Sequence, residues 1–338
     1  MARKATSQDV ATLAGVSRSA VSLVLNGRGH GNIAADKQAA IRQAAEQLNY
    51  TPNAVALSLR NQRTHTIGVV TDAIATTAFG GNLLQGASDA AAQEGYLLLV
   101  IDTHYDYDRE LEAYQTLHNR QVDAFLFAAM SLRPYHAPER MLSAPSALAN
   151  CFDVQDAVSS FIPDDVAGGR HAAQALIDAG HRDIVMLSGT HDVIAAEQRE
   201  TGFRQAMTAA GLSFSEPVVA GWEMDKGFAA ASHLLDQPER PSAIICANDR
   251  LAVGVALAAG RLGVSIPGDL SIVGYDDDEN IAPCMTPALT TVALPHREMG
   301  DRAMQLILSE LSGLPREPPV RVLLDCPLVL RESVAPPG

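Results

Sequence analysis

The spacing of apolar residues divides the chain into a short helical segment and a longer segment of alternating strands and helices. Residues 7–14, 18–25 and about 35–48 carry apolar side chains at helical spacing, so three short helices are expected there. From residue 66 onward, short apolar runs alternate with amphipathic stretches. The runs cover 66–72, 96–102, 122–130, 146–151, 183–189, 217–221, 242–249 and 270–277. This alternation predicts βαβ units and parallel sheets, an α/β fold.

A break in the pattern over residues 150–165 predicts that the strands form two sheets, and therefore two lobes. The stretch after residue 290, with a helix over 296–312, is expected to cross back between the lobes. The expected domains are a head over 1–51, a hinge and linker over 52–63 and a body over 64–335. In the body, one lobe is expected over about 64–159 and 288–318, and the other over about 160–287 and 319–335.

The first two helices are spaced like a helix-turn-helix motif, which binds DNA. Gly15 supplies the turn, Val16 fills the gap between the helices and Ser17 is expected to cap the second helix. The second helix of such a motif enters the major groove, where outward side chains contact base edges, and Arg18 suits a guanine or, alternatively, a phosphate. The predicted DNA-binding residues of the head are Thr6, Ser7, Ser17, Arg18, Ser19, Ala20, Ser22, Leu23 and Asn26.

Charge is distributed unevenly along a chain whose formal net charge is −14. Residues 1–63 have eight Lys and Arg against three Asp and Glu, a net charge of +5, so the rest of the chain carries −19. Salt screens exposed charges over about 8–10 Å, so a basic head can act locally on DNA despite an acidic body. The body would repel DNA and thereby help to orient the head towards it.

Composition and motifs exclude several other classes. No apolar run is long enough to cross a bilayer, and the polar first residues show no secretory signal, so a cytoplasmic, nucleoid-associated protein is expected. An exported solute-binding protein would need such a signal and no DNA-binding head. Four widely spaced cysteines predict no metal site. Because no G-x-G-x-x-G follows the first strand, and neither a P-loop nor G-x-S-x-G occurs, we expect no catalytic residues and no cofactor.

Ordered motifs along nearly the whole chain resemble the lactose-repressor/galactose-repressor family of bacterial transcription regulators. They include DVATLAGVS, AVSLVLNG, LNYTPNAVALSL, PDDVAGGR, RETGF, ANDRLAVG and GVSIPGDLSIVGYDD. The resemblance implies a helix-turn-helix head on a two-lobed body of the type I periplasmic-binding-protein fold. A palindromic operator requires a two-fold homodimer, and the lack of a leucine-heptad tail favours a dimer over a tetramer.

The stretch TPNAVALSL matches the hinge helix of this family. The resemblance implies that two hinge helices, one per protomer, enter the minor groove at the centre of the operator. Leu59 matches the leucine that wedges into the central base step and kinks the duplex, and Asn53 and Ala56 match neighbouring positions. A helix this short does not form alone in water, so we expect it to need DNA or a second chain.

The resemblance also implies an effector in the cleft between the lobes, at the carboxyl ends of the strands. Arg199 matches the arginine that clamps the effector, although an inter-lobe ion pair is the alternative. Trp222 matches an aromatic position that stacks on a sugar ring, although core packing is the alternative. Asp249 is expected to cap a helix. The candidate effector-binding residues are Arg199, Trp222, Asn248, Asp276, Asn150 and Asp164.

Three features depart from the pattern of the family. Ala34 stands where a Ser or Thr often caps the third helix, so the cap is expected to move to Asn32 or to be lost. The loop over 27–32 is longer than in the lactose repressor, and Leu23 occupies an often polar position of the recognition helix.

The sequence therefore predicts a ligand-responsive transcription regulator. A repressor of carbohydrate genes released by a sugar inducer is favoured, because Trp222 and Asp276 together suit a sugar. A purine-type co-repressor is the alternative within this class. The expected partners are palindromic operator DNA, a small-molecule effector and a second copy of the chain, without a membrane.

Overall fold

The computed structural model describes residues 5–51, 63–73 and 78–338, in two compact units, Met1–His65 and Thr66–Gly338. The first unit, the head, contains the helices α1 (Ser7–Ala14), α2 (Arg18–Leu25) and α3 (Ala35–Gln47). All three agree with the sequence prediction. Within the described ranges, no helix is long and apolar enough to span a membrane.

Side-chain caps and one left-handed residue fix the first two helices of the head. Thr6 and Asp9 form a capping box at the start of α1, and Gly15 ends that helix with a φ of 64°. Ser17 caps α2 as predicted, because its hydroxyl accepts a hydrogen bond from the Ala20 amide at 3.2 Å. A serine cap of this kind contributes about 1 kcal/mol to helix stability.

The third helix of the head begins without a side-chain cap, at Ala34. Asn32 does not replace the missing cap, because its amide donates to the Arg28 carbonyl instead. Gln38 in α3 holds the long loop by donating to the carbonyls of Gly29 and Ile33 at 3.0 and 2.8 Å. The loop is therefore anchored to α3 through one glutamine side chain.

The core of the head differs at a few positions from the one that the apolar spacing predicts. That spacing places Val10, Leu13 and Ala14 on one face of α1, but Val10 and Ala11 are buried, whereas Leu13 is 52% exposed. Ile41 of α3 is fully buried, whereas Ala39 is exposed. An eight-residue helix has too few apolar positions for its inner face to be determined by spacing alone.

The second unit, the body, contains two sheets with helices on both faces. The described strands are β1 (Thr66–Thr71), β2 (Leu97–Asp102), β3 (Ala124–Tyr135), β4 (Ser146–Asp153), β5 (Ser160–Pro163), β6 (Ile184–Ser188), β7 (Val218–Val219), β8 (Ala243–Cys246), β9 (Ser271–Asp276), β10 (Thr290–Ala293), β11 (Arg321–Leu324) and β12 (Leu328–Val329). The described helices are α4 (Ala78–Gln93), α5 (Tyr107–Asn119), α6 (Glu139–Leu142), α7 (Asp165–Asp178), α8 (Ile194–Ala209), α9 (Met224–Leu235), α10 (Asp249–Leu262) and α11 (His296–Leu311).

Each lobe is built around one six-stranded sheet of the described residues. The first sheet has the order β11-β5-β4-β3-β1-β2 and is entirely parallel. The second has the order β12-β10-β9-β8-β6-β7, in which only β12 is antiparallel to its neighbour. Helices α4 and α11 cover one face of the first sheet. The second sheet lies between the pair α7 and α8 and the pair α9 and α10.

Three segments of the chain cross between the two sheets. The crossings follow β5, β10 and β11, at Pro163, Ala293 and Leu324. The sequence pattern put the lobe bounds near residues 159, 287 and 318, a few residues earlier in each case. The strand β5 was missed because it has only four residues and follows a polar stretch.

Glycine pairs bring neighbouring helices of the body into backbone contact. In the second lobe, a side chain at Gly227 of α9 would strike the backbone oxygen of Leu251, and one at Gly254 of α10 would strike that of Met224. The same reciprocal arrangement joins α7 to α8 and α4 to α11. Those two crossings are made by Gly169 with Gly202 and by Gly86 with Gly300. Close packing at these crossings therefore depends on the missing Cβ atoms.

Gly227→Ala should destabilise the body by about 1–3 kcal/mol, because the added methyl forces α9 and α10 apart. Urea unfolding followed by circular dichroism measures this loss. Gly260→Ala is a matched control, since Gly260 lies on α10 with no atom near its missing Cβ. That control should be neutral or stabilising by up to about 1 kcal/mol. Equal effects of the two substitutions would contradict the packing argument.

Candidate DNA-binding and effector sites

The outward face of α2 carries polar side chains that are available to DNA. Arg18 and Ser19 are exposed, and Ser22, Leu23 and Asn26 are half-buried along the same side of the helix. The Arg18 side chain forms no hydrogen bond or ion pair with any residue that the structure describes. A solvated guanidinium at the start of such a helix suits a guanine or a phosphate.

Several predicted DNA-binding residues are already engaged within the head. The Thr6 hydroxyl donates to the Asp9 carboxylate at 2.7 Å, and the Ser17 hydroxyl lies 2.8 Å from that of Ser19. Ser7 is the half-buried first residue of α1. Ala20 was predicted to contact DNA, but it is 8% exposed and packs in the core of the head, so its side chain does not reach the surface. The hinge positions Asn53, Ala56 and Leu59 lie outside the described residues.

A cavity of about 230 Å³ lies between the two lobes of the body, with apolar and charged side chains in its lining. The first lobe contributes β3 and the end of β4, through Met130, Ser131, Leu132 and Asn150. The second contributes strand ends and helix starts, including Arg199, Trp222, Asn248 and Asp276. Five of the six predicted effector-binding residues therefore line one cavity. Its volume is below the roughly 300–1,000 Å³ of sites for drug-sized ligands, so it suits a smaller molecule.

Arg199 is the best-connected side chain of this cavity. Its Nε donates to Asp165 Oδ1 at 2.8 Å and its Nη1 donates to the Ala247 carbonyl at 2.5 Å. The guanidinium also stacks on the ring of Tyr275 at 3.7 Å. Burial alone would lower the pKa of Arg199. The negative charges of Asp165 and Asp276 outweigh this effect, so the net pKa is raised and the guanidinium stays charged. The ion pair joins α7 and α8 of one lobe, not the two lobes as the alternative supposed.

Asp276 brings a second carboxyl into the cavity. It lies 3.9 Å from Arg199 Nη1, and its side chain is 8% exposed. Burial raises the pKa of the Asp276 carboxyl well above its ordinary value, and the Arg199 charge opposes this shift. Asp276 and Asn150 also have positive φ angles, of 113° and 56°. Asp276 ends β9 and Asn150 lies within β4, and left-handed backbone at two lining residues of one cavity is a feature that functional sites often share.

Asp164 is the predicted residue that does not line the cavity. Its carboxylate caps α7 by accepting from the Ala167 amide at 2.9 Å. The next residue, Asp165, lines the cavity instead, and its Oδ2 is buried without a hydrogen-bond partner in the described chain. Such an unsatisfied buried atom costs about 1–3 kcal/mol, which a bound ligand donor would offset.

At the start of α10, as at the start of α7, one of two adjacent polar residues caps the helix and one lines the cavity. Here both roles fall to the first residue of the pair. Asn248, not Asp249, caps α10, with its Oδ1 accepting from the Leu251 amide at 2.8 Å and its Nδ2 donating to the Trp222 carbonyl at 3.0 Å. Asp249 is buried and accepts from the Thr291 hydroxyl. Burial raises the pKa of Asp249 to about 7, against its hydrogen bonds from Thr291 and Asp278.

Trp222 is a half-buried wall of the cavity that also packs against the core of the second lobe. Its indole Nε1 donates to the Thr190 hydroxyl at 3.0 Å, which fixes the orientation of the ring. The Arg199 guanidinium lies 6.0 Å from the centre of that ring. The ring is therefore held in place by polar contacts before any ligand binds, as a stacking platform requires.

Two further cavity residues were missed by the sequence analysis. His296 follows β10 as the first residue of α11, and burial lowers its pKa to about 4, with the Arg199 charge acting in the same direction. Arg250 follows Asn248 by two residues, and its Nη1 binds Glu223 at 3.2 Å. The rule that ligands bind at strand ends was the signal available for both. Among the described residues, no group of His, Cys, Asp or Glu could hold a metal ion.

The fold and the site together define a ligand-responsive DNA-binding regulator, with a helix-turn-helix head and a two-lobed body that has a cavity between its lobes. Residues 6–53 match the family described as bacterial regulatory proteins, lacI family, and residues 173–334 match the periplasmic binding protein-like domain. The chain is 35% identical to the ribose operon repressor of Escherichia coli (strain K12), over 91% of this chain and 93% of that protein. The chain belongs to the lacI family of transcription regulators.

Two other relatives support the same assignment. The HTH-type transcriptional repressor PurR of Vibrio campbellii is 32% identical, over 93% of this chain and 94% of that protein. The lac repressor dimer bound to operator and the anti-inducer ONPF is 26% identical, with a TM-score of 0.79. That likeness covers 98% of this chain and 100% of the repressor chain. The predicted two-lobed fold and the resemblance to this family are confirmed.

Arg199→Met should destabilise the protein by about 3–5 kcal/mol, because it leaves Asp165 as an unpaired buried charge. Urea unfolding measures the loss. The double variant Asp165→Asn with Arg199→Met removes both charges and should recover much of the stability. A single variant as stable as the original protein would contradict the proposed importance of this ion pair.

Proposed function

We propose that this protein is a repressor of carbohydrate-metabolism genes, which binds a palindromic operator and is released by a sugar. The observation that carries the proposal is the cavity between the lobes, whose lining includes Asp165, Asp276 and Asn150 together with the ring of Trp222. Carboxylates and amides pair with neighbouring hydroxyls, and an aromatic ring stacks on the apolar face of a sugar. The name of the Escherichia coli relative, a ribose operon repressor, points to the same chemistry.

The proposed mechanism couples the lobes to the hinge. A ligand in the cavity would stabilise one angle between the lobes if it contacted both of them. The contacts would be Met130 and Asn150 of the first lobe and Arg199 and Asp276 of the second. A change of this angle in both protomers would alter the spacing of the hinge segments 52–63 and thereby the affinity for the operator. The ligand acts only if it binds the two states unequally.

A purine-type co-repressor is the second candidate, favoured by the similarity to the Vibrio campbellii repressor. A purine base would stack on Trp222 and would strengthen DNA binding instead of releasing it. The two candidates therefore predict opposite responses to the ligand. In either case, we propose that the protein binds its effector without converting it and acts on chromosomal DNA in the cytoplasm.

We propose that two exposed apolar surfaces of the body form the dimer interface. Leu97, Leu99 and Val100 lie on β2 at the edge of the first sheet, where Leu97 is 72% exposed. Leu257 of α10 in the second lobe is 58% exposed. Exposed apolar side chains on an edge strand mark an interface or an aggregation hazard, and a two-fold dimer would cover them.

Full-length protein mixed with genomic DNA fragments at physiological salt should retain a shared palindrome. Sequencing the retained fragments, with and without a mixture of free sugars or of purine bases, tests the function. Sugars should release the fragments. Retention that increases with purine bases would favour the co-repressor candidate, and fragments without any common sequence would contradict a specific regulator.

Leu59→Ala should weaken binding to the palindrome far more than binding to random DNA, because a wedge acts only where the duplex kinks. Arg18→Ala provides the comparison, with a loss of about 1–3 kcal/mol if Arg18 binds a guanine. Fluorescence anisotropy with both DNA types measures the losses. Equal losses for Leu59→Ala on the two DNA types would contradict the wedge role.

Leu97→Asp should shift the protein towards the monomer, because it places a charge in the proposed interface. Light scattering after gel filtration measures the mass. Leu314→Asp is the matched control, because Leu314 is 60% exposed but lies on a loop outside β2 and α10. A Leu97→Asp protein that remains dimeric would exclude β2 from the interface.

A further inference from the structure

We infer that the cavity selects an uncharged, unphosphorylated monosaccharide and rejects the phosphate ester of the same sugar. This inference rests on the sugar effector proposed above and adds a specific chemical class to it. Three observations carry it: the hydrogen-bonding atoms left unsatisfied in the cavity, the neutralisation of its cations and the occupation of the helix starts beside it.

The cavity leaves acceptor oxygens of Asp165 and Asn150 for a ligand donor. Asp165 Oδ2 is fully buried and has no hydrogen-bond partner in the described chain. Asn150 uses its Nδ2 to donate to the carbonyls of Ala129 and Met130, which leaves its Oδ1 to accept. The nearest cation to Asp276 is Arg199, at 3.9 Å. A sugar hydroxyl donates to such atoms, whereas phosphate oxygens only accept.

The cations of the cavity are already neutralised by neighbouring carboxylates. Arg199 is paired with Asp165 at 2.8 Å, and Arg250 is paired with Glu223 at 3.2 Å. Burial lowers the pKa of His296 to about 4, so this side chain is neutral at pH 7. A phosphate dianion would therefore meet the Asp165 carboxylate, while each of the two arginines in the cavity already has a carboxylate partner.

Two helix starts at the edge of the cavity would otherwise attract an anion. One amide in the first turn of each helix is already bound by a side chain: Asp164 accepts from the Ala167 amide of α7, and Asn248 accepts from the Leu251 amide of α10. Asp165 and Asp249 also place a carboxyl in the first turn of each helix. The positive end of each helix is thus partly compensated by side chains of the protein before a ligand arrives.

The cavity also offers a buried donor to a ligand oxygen. Arg250 lines the cavity, and its Nε is buried without a hydrogen-bond partner among the described residues. A ligand hydroxyl can accept from this Nε–H and donate to a carboxylate at the same time. A neutral polyhydroxyl ring satisfies both kinds of atom, and the cavity volume of about 230 Å³ limits it to a small molecule.

The test is a titration of full-length protein with free D-ribose, D-xylose, D-glucose and D-galactose and with the phosphate ester of each. The chain has one tryptophan, in the cavity wall, so its fluorescence reports binding directly, and calorimetry confirms the affinity. At least one free sugar should bind. The affinity for its phosphate ester should be about 100-fold lower, because the phosphate would lie near carboxylates of the same charge.

A pair of variants tests whether charge causes the selection. Glu223→Gln leaves Arg250 unneutralised and should reduce the preference for the free sugar by about three- to tenfold. Asp225→Asn removes an equal charge two residues away, outside the cavity lining, and should leave the preference unchanged. Equal effects of the two variants would mean that general surface charge, not Arg250, sets the preference.

The possible outcomes separate this inference from the proposed function. A phosphate ester that binds as tightly as its free sugar, or more tightly, overturns the inference but leaves a sugar-responsive repressor. If none of the sugars or esters binds, the sugar effector itself is contradicted, and the inference falls with it. Tight binding of a free sugar with a weak ester supports both.

Discussion

The buried ion pair between Arg199 and Asp165 is the interaction on which the effector cavity depends. It ties α8 to the first turn of α7, while the same guanidinium binds the Ala247 carbonyl after β8 and stacks on Tyr275 of β9. Four elements of the second lobe therefore meet at one side chain. Because a buried charge without its partner is strongly destabilising, this half of the cavity is fixed before a ligand binds. Ligand selection then depends on the atoms that the ion pair leaves free.

The connections between the lobes place the cavity where it can influence their relative angle. Pro163, at the first crossing, and Leu294 and His296, at the second, all line the cavity. Any change in lobe angle must bend the chain at these crossings. A ligand in contact with two of the three crossing segments is thus well placed to favour one angle over another, which the proposed coupling to the hinge requires.

The sequence predicted the positions of most strands along the chain, because their apolar runs leave a clear pattern. It also placed Ser17 correctly, since a serine before a helical run is a reliable cap. It could not separate Asp164 from Asp165, because which of two adjacent aspartates caps a helix depends on how the helix meets the strand. Leu13 was misassigned for a similar reason, as one short helix does not determine its own inner face.

The central claim is that one ligand bridges both lobes at this cavity. Hydrogen–deuterium exchange of the full-length protein tests this claim most directly. The exchange is measured with and without a millimolar mixture of free pentoses and hexoses. The account predicts slower exchange in residues 130–132 of the first lobe and in Ile194–Ala209 of the second. Protection confined to one lobe, or absent from both segments, would contradict it.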